Sequence, residues 1–242
     1  MIETYREAYD RFARNGGAGP AGLAPVRQAA MARFAETGFP GPKDEEWRFT
    51  PVAPIARTRF EPASAPAAPV TAADLAPFTF GHAEWTTLVF VNGRYTAELS
   101  SRPALPGGAV AMPLAEALSA GHPALEAHLT RYAGAEATAF TALNTALAAD
   151  GAFIHVPRGV ELKDPIHLVY LTSADATGQA THPRTLIVVD EAARASVIES
   201  YVSPGQAAYF TNTVAEVVVG RTAWLEHTRI QRESEKAQHV GF

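Results

Sequence analysis

Eight histidines are the side chains of this 242-residue chain best suited to hold a metal: His82, His122, His128, His155, His167, His182, His227 and His239. None forms an HxH or HExxH pair, the spacings that set two imidazoles on one strand or helix face. His122 and His128 are six residues apart, which suits no single helix face. A lone histidine of this kind reads first as a surface or structural residue. His227 and His239 stand apart, because they fall in and just after the last of three strand repeats. Stacked coils can bring such side chains into line, so these two are the candidate metal ligands. The chain has no cysteine. That excludes disulfides, thiolate metal sites and a cysteine nucleophile together.

Other chemistry finds less support. No GxSxG elbow surrounds Ser196, Ser200 or Ser203, which read as solvent-facing strand serines. Glu199, Glu216 and Glu226 lie on expected strands. Aligned across coils, they would make an acid/base site of the sort that β-helix carbohydrate-active enzymes use. Scattered, they are the polar face of half-buried strands. No GxxxxGK[ST] loop exists and no GxGxxG opens a helix, so nucleotide hydrolysis by this chain alone is not expected. Asp44-Glu45-Glu46 runs into Trp47-Arg48-Phe49-Thr50-Pro51. The plain reading is acidic residues at a helix start with Trp47 and Phe49 as core anchors. The functional reading is a docking segment for another protein.

Charge and hydropathy narrow the classes further. Twenty basic against 25 acidic residues leave a net charge of −5, which gives no electrostatic reason to expect nucleic acid or an anionic membrane as partner. No apolar run approaches the ~18 residues of a membrane span. The N-terminal residues mix charged with apolar side chains and lack the apolar core of a signal peptide. The expected location is the cytoplasm.

The elements that would position these residues change character near residue 150. Ala falls from 36 in the first 150 residues to 12 in the last 92, while Val, Ile and Thr rise from 21 to 25. Pro falls from 14 to 4. A helical, loop-rich first part therefore precedes a strand-rich second part, which points to an α+β or mainly-β chain and not to alternating β/α units. Four regions follow: a helical region over 1–60, a stiff Pro/Ala-rich linker over 61–77, a mixed hairpin and helical region over 78–150, and a strand-repeat region over 151–242.

Within the first part, helices are expected over 2–14 and 23–36. The second buries Leu23, Val26, Ala30 and Phe34 on one face and ends at Gly38. A strand over 86–91 turns at Asn92-Gly93 into Arg94-Tyr95-Thr96. Helices follow over 113–119, 123–133 and 138–149. In the second part three blocks each read strand, short turn, strand, with Asp190 and Gly220 at matching turns 30 residues apart. That repeat suits a β-solenoid or an antiparallel sandwich, and periodicity alone does not separate them. For a solenoid, the 138–149 helix is placed to cap the N-terminal end. Its other end carries no closing segment, so a partner covers it or the chain is a fragment.

Several stretches resemble the SufB/SufD family of iron–sulfur cluster assembly scaffolds. They are Gly38-Phe39-Pro40 with Asp44 to Thr50, the Phe90-Val91-Asn92-Gly93 hairpin, and Leu143-Asn144-Thr145-Ala146 followed by Asp150-Gly151, Val156-Pro157 and Gly159. His182-Pro183-Arg184 with Glu199 follows, then Tyr209 to Asn212 with Glu216, and His227 to Gln231 with Glu233 and Ala237. Their order along the chain is the specific part. The lack of cysteine and the Asp44–Thr50 segment favour the D-type branch over the B-type. The resemblance implies an N-terminal helical domain followed by a right-handed parallel β-helix, here truncated. It implies a non-catalytic scaffold working with a SufB-type paralogue and a SufC-type ATPase, with the iron–sulfur cluster held by the assembled complex and not by this chain alone. The family's cluster-site and ATPase-binding residues are expected beyond this chain's length. The alternatives are a carbohydrate-active β-helix enzyme and a truncated structural paralogue.

Overall fold

The computed structural model describes residues 2–17 and 23–242. Its helices are α1 (Ile2–Phe12), α2 (Ala24–Thr37), α3 (Ala53–Arg57), α4 (Ala72–Leu75), α5 (Leu114–Ala120), α6 (Pro123–His128) and α7 (Ala139–Leu147). The strands are β1 (Glu61–Pro62), β2 (Thr86–Val91), β3 (Arg94–Tyr95), β4 (Val110–Pro113), β5 (Gly151–Val156), β6 (Ile166–Leu171), β7 (Gln179–Thr181), β8 (Arg184–Val189), β9 (Arg194–Val202), β10 (Phe210–Val219), β11 (Trp224–Arg232) and β12 (Gln238–Gly241).

Parallel pairing settles the architecture as a β-solenoid of about three coils. One face stacks β5, β8 and the second half of β10, with Gly151, Arg184 and Val214 in register. A second stacks β2, β6, β9 and β11, with Ile166, Val197 and His227 in register. The third stacks β7, the first half of β10 and β12. Coils are therefore 28 to 33 residues long, and β10 bends round the corner between two faces. A sandwich would need antiparallel ladders. The antiparallel pairs here are β2 with β3 and β4 with β5, both at the first coil, where they cover its edges.

Strands β5, β6 and β8 are buried on both faces, which explains their near-continuous apolar runs. Inward side chains make the axial core, including Leu88, Phe90, Ile154, Leu168, Tyr170, Ile187 and Tyr201. Each outward face is covered by a different N-terminal segment. Helices α5 and α6 cover Phe153, Leu186 and Val188. Helices α1, α2 and α7 pack Tyr5, Phe34, Phe140 and Leu143 on Phe210. Leu75, Val70 and Phe78 cover Val89, Val169 and Val202.

The structure departs from the sequence expectations at five places. Residues 61–77 are not a free linker. Glu61 and Pro62 pair with Gln179 and Ala180, Ala67 N donates to Asp175 Oδ2 at 2.6 Å, and a Thr71–Asp74 capping box starts α4. The segment is a strap bound across the solenoid. Helix α7 does not cap the end of the solenoid but lies along the corner between two faces, where Asn144 Nδ2 reaches Pro183 O and Asn212 O. Helix α6 stops at His128 instead of 133, because Thr130, Tyr132 and Ala133 turn their N–H groups to the Glu216 carboxylate. Helix α2 buries Arg27 and Met31 beside Ala30 and Phe34, leaving Val26 at the surface. Finally, Trp47 packs on Phe140 at 4.9 Å between ring centroids, but Phe49 is 89% exposed.

Candidate functional site

The most polar part of the axial core lies in the third coil. Alternation on β9 points Ala195, Val197, Glu199 and Tyr201 inward. In register above them β11 places Leu225, His227, Arg229 and Gln231. Glu199 Oε2 lies 3.3 Å from His227 Nε2, outside hydrogen-bond geometry, and 3.5 Å from Arg229 Nη2. The carboxylate is fully buried, and its Oε1 has no hydrogen-bond partner. Burial would raise its pKa, but the His227 imidazole and the Arg229 charge outweigh that and hold it below the usual carboxylate range.

A second imidazole–carboxylate pair sits beside the first. The turn after β11 carries Glu233, whose Oε2 lies 2.7 Å from His239 Nδ1 on β12. Gln231 Nε2 donates to the same oxygen at 3.3 Å, while Tyr209 and Thr211 hydroxyls donate to Oε1. Burial opposes ionisation of Glu233 here too, and the His239 contact with these donors overcomes it. With Nδ1 given to a carboxylate, His239 presents Nε2 as a lone pair, and that atom is buried without a partner. A carboxylate behind an imidazole is the usual support of a metal-ligating histidine.

Tyr201 joins the two pairs. Its hydroxyl bonds Thr213 Oγ1 at 2.7 Å and reaches Glu199 Oε2 at 3.5 Å, and its ring meets the His239 ring edge-on at 4.8 Å. The Arg229 guanidinium lies 5.7 Å over the ring. Below it Tyr170 and then Phe90 stack at 4.9 Å each, one aromatic ring per coil. Burial, with Glu199 adding to it, raises the pKa of both tyrosines well above the ordinary value, so both stay protonated.

The two sequence candidates thus fall in one cluster, each with its own carboxylate. Among the described residues no group of three His, Cys, Asp or Glu side chains is placed to hold a metal ion. The cluster offers single imidazole ligands and a chain of protonatable groups, not a closed metal centre. The three strand carboxylates do not align: Glu199 is axial, Glu226 lies exposed beside Ser196, and Glu216 faces outward on Arg184. That removes the acid/base constellation on which a carbohydrate-active reading stood. Sequence reading missed Tyr201 and Arg229 as site residues. Offsetting the repeats by 30 or 31 residues would have placed Tyr201 on Tyr170 and Arg229 on Glu199.

A second buried network holds the coils to the helices. Arg184 spends all five N–H groups: Nε and Nη2 on Glu216, Nη1 on Asn144 and Thr145, and Nη2 again on Ala133 O. Asn212 Nδ2 donates to Phe140 O at 2.9 Å. These are architectural contacts, fixing α7 and the 130–133 loop on the solenoid.

Comparison with known proteins gives the same partition of the chain. Residues 2–168 match the SufBD protein N-terminal region, and residues 170–241 match the SUF system FeS cluster assembly, SufBD core domain. An iron–sulfur cluster assembly SufBD family protein of Synechocystis is 34% identical over 233 residues, covering 90% of this chain and 49% of the relative. The iron–sulfur cluster assembly protein SufD of Escherichia coli K12 is 27% identical over 217 residues, covering 89% and 48%. The SufB protein of Bacillus subtilis is 35% identical over 96 residues, covering 38% and 20%. The chain spans about half the length of the first two.

Proposed function

The chain belongs to the SufBD family of iron–sulfur cluster assembly proteins, and we propose that it is a non-catalytic scaffold subunit that acts in the cytoplasm beside a SufB-type paralogue and a SufC-type ATPase. The observation that carries this is the match of two consecutive family regions over nearly the whole chain, on a β-solenoid whose family-like residues do defined work. Asn144, Arg184, Asn212 and Glu216 tie helix to coil. Glu199, His227, Glu233 and His239 form the axial polar cluster. The relation to both SufD and SufB supports a paralogous partnership.

The cluster is cargo in this reading. Without thiolates, the chain would contribute nitrogen or carboxylate ligands only, with His239 Nε2 and His227 as the nitrogen donors. Remaining ligands would come from the partner subunits.

Affinity-tagged full-length protein, co-expressed with the SufB- and SufC-type proteins of the same cell, is expected to retain both through size-exclusion chromatography. Elution of the tagged protein alone would refute the assembly.

A further inference from the structure

Arg27 on α2 is a buried cation without a buried anion. It is 3% exposed, its Nη1 donates to Ala148 O at 2.7 Å, and its guanidinium lies 5.1 Å over the Phe12 ring. Its Nε has no hydrogen-bond partner. Among the described residues its side chain forms no ion pair. A charge in such a place normally demands a counter-charge. Burial lowers its pKa to about 10, with Tyr9 opposing and the neighbouring Arg184 charge adding to the fall. Arg184 cannot help, since its N–H groups are all engaged and its charge is already matched by Glu216. Two guanidiniums against one carboxylate leave one positive charge uncompensated inside the protein.

A small cavity lies between these two arginines. Arg27, Leu114, Leu129, Thr130, Thr145 and Arg184 line it, and it leaves about 10 Å³ for the centre of a water-sized sphere. That is room for roughly one monatomic or water-sized occupant. The lining side chains offer N–H and O–H donors and apolar carbon, with no carboxylate. A donor-rich, positively charged space of this size selects for a small anion and excludes oxyanions such as sulfate.

We propose that this cavity binds one monovalent anion of about chloride's size, as the counter-ion of Arg27. The ion would sit where α2, the 129–130 turn, the end of α7 and the solenoid meet, and would hold them together. The proposal does not depend on the assembly reading above.

Two experiments test it on the full-length protein. Crystals soaked in bromide are expected to show one anomalous peak in the cavity beside Arg27, and none in crystals of Arg27→Met. Thermal unfolding in sodium chloride is expected to run about 3 °C above that in sodium sulfate at equal ionic strength, once chloride exceeds its dissociation constant roughly tenfold. Arg27→Met should lose that increment. Should Arg27→Met fail to fold, the bromide experiment on the unaltered protein decides alone. A cavity without anomalous signal, or a chloride increment that survives in Arg27→Met, overturns the proposal.

Discussion

Arg184 and Glu216, 32 residues apart on neighbouring coils, meet at 2.7 Å with both side chains at most 2% exposed. The pair is more than an ion pair, because each partner also satisfies backbone. Glu216 takes the N–H groups of Thr130, Tyr132 and Ala133, and Arg184 takes Ala133 O. Glu216 stays ionised although burial opposes it, since the Arg184 charge and those N–H groups lower its pKa. A buried pair of this kind gains little over apolar packing, but losing one member strands the other.

Glu216→Ala is therefore expected to destabilise the protein by about 3–5 kcal/mol. Urea unfolding followed by far-UV circular dichroism measures this. A loss below about 1 kcal/mol would mean the pair is solvated in solution.

Glycine at 151 is a requirement of stacking. A Cβ there would stand 1.9 Å from Arg184 O on the next coil. Gly151→Ala forces β5 and β8 apart where they pair, at a cost of about 2–3 kcal/mol. Gly159→Ala is a useful contrast, with φ +71° but nothing within 4 Å of the added Cβ. It should cost about 1 kcal/mol from backbone strain alone. Equal effects would contradict the stacking argument.

The aromatic column predicts two different losses at one position. Tyr201→Phe keeps the stack on Tyr170 and removes the hydroxyl that bonds Thr213. Its cost is expected near 1 kcal/mol. Tyr201→Ala removes the ring and opens the core, at about 3–5 kcal/mol. The two variants compared by denaturant titration separate stacking from hydrogen bonding, and similar costs would show that the hydroxyl dominates.

Stability should fall on acidification from two sources. His167 is buried against Phe80, and burial lowers its pKa to about 4; burial of His182 lowers that residue to about 3. Below the ordinary imidazole value near 6.5 the unfolded chain binds these protons and the folded chain does not. Stability is thus lost progressively from about pH 6.5 down to those values. Glu199, Glu216 and Glu233, whose pKa values are lowered by folding, contribute stability above the ordinary carboxylate value near 4.3 and lose it as pH falls further. His167→Gln should flatten the slope between pH 6 and pH 5 by about one proton, or ~1.4 kcal/mol per pH unit. An unchanged slope would mean that His167 titrates freely in the folded protein.

Local signals made much of this fold legible. Strand β2 and the Asn92-Gly93 turn stand where β-branched residues and a turn dipeptide put them, with both turn residues at positive φ. The 30-residue repeat showed itself through Asp190 and Gly220, because β8 and β10 have their own apolar runs. Strands β1, β7 and β12 were not readable. They are two to four residues long, two contain polar side chains, and their existence depends on a partner a coil away. The same limit governs the site. His227 and His239 could be nominated from position, but Tyr201 between them needs the register of three coils. Arg27 and Arg184 look like surface residues in the sequence, since nothing local reveals that a guanidinium will be enclosed.

The pairing of β2 with β6 also has a consequence for synthesis. Thr86 finds its ladder partner at Ile166, and Glu61 finds Gln179 still later. A ribosome adding about 5–20 residues per second needs roughly 4–16 s to make the 80 residues that separate Thr86 from Ile166. For that interval the apolar strand Thr86–Val91 has emerged or is emerging without its parallel neighbour. The nascent chain is then a natural client for a chaperone that shields short hydrophobic segments. The strap and first strand would dock only after the coils they bind have left the exit tunnel.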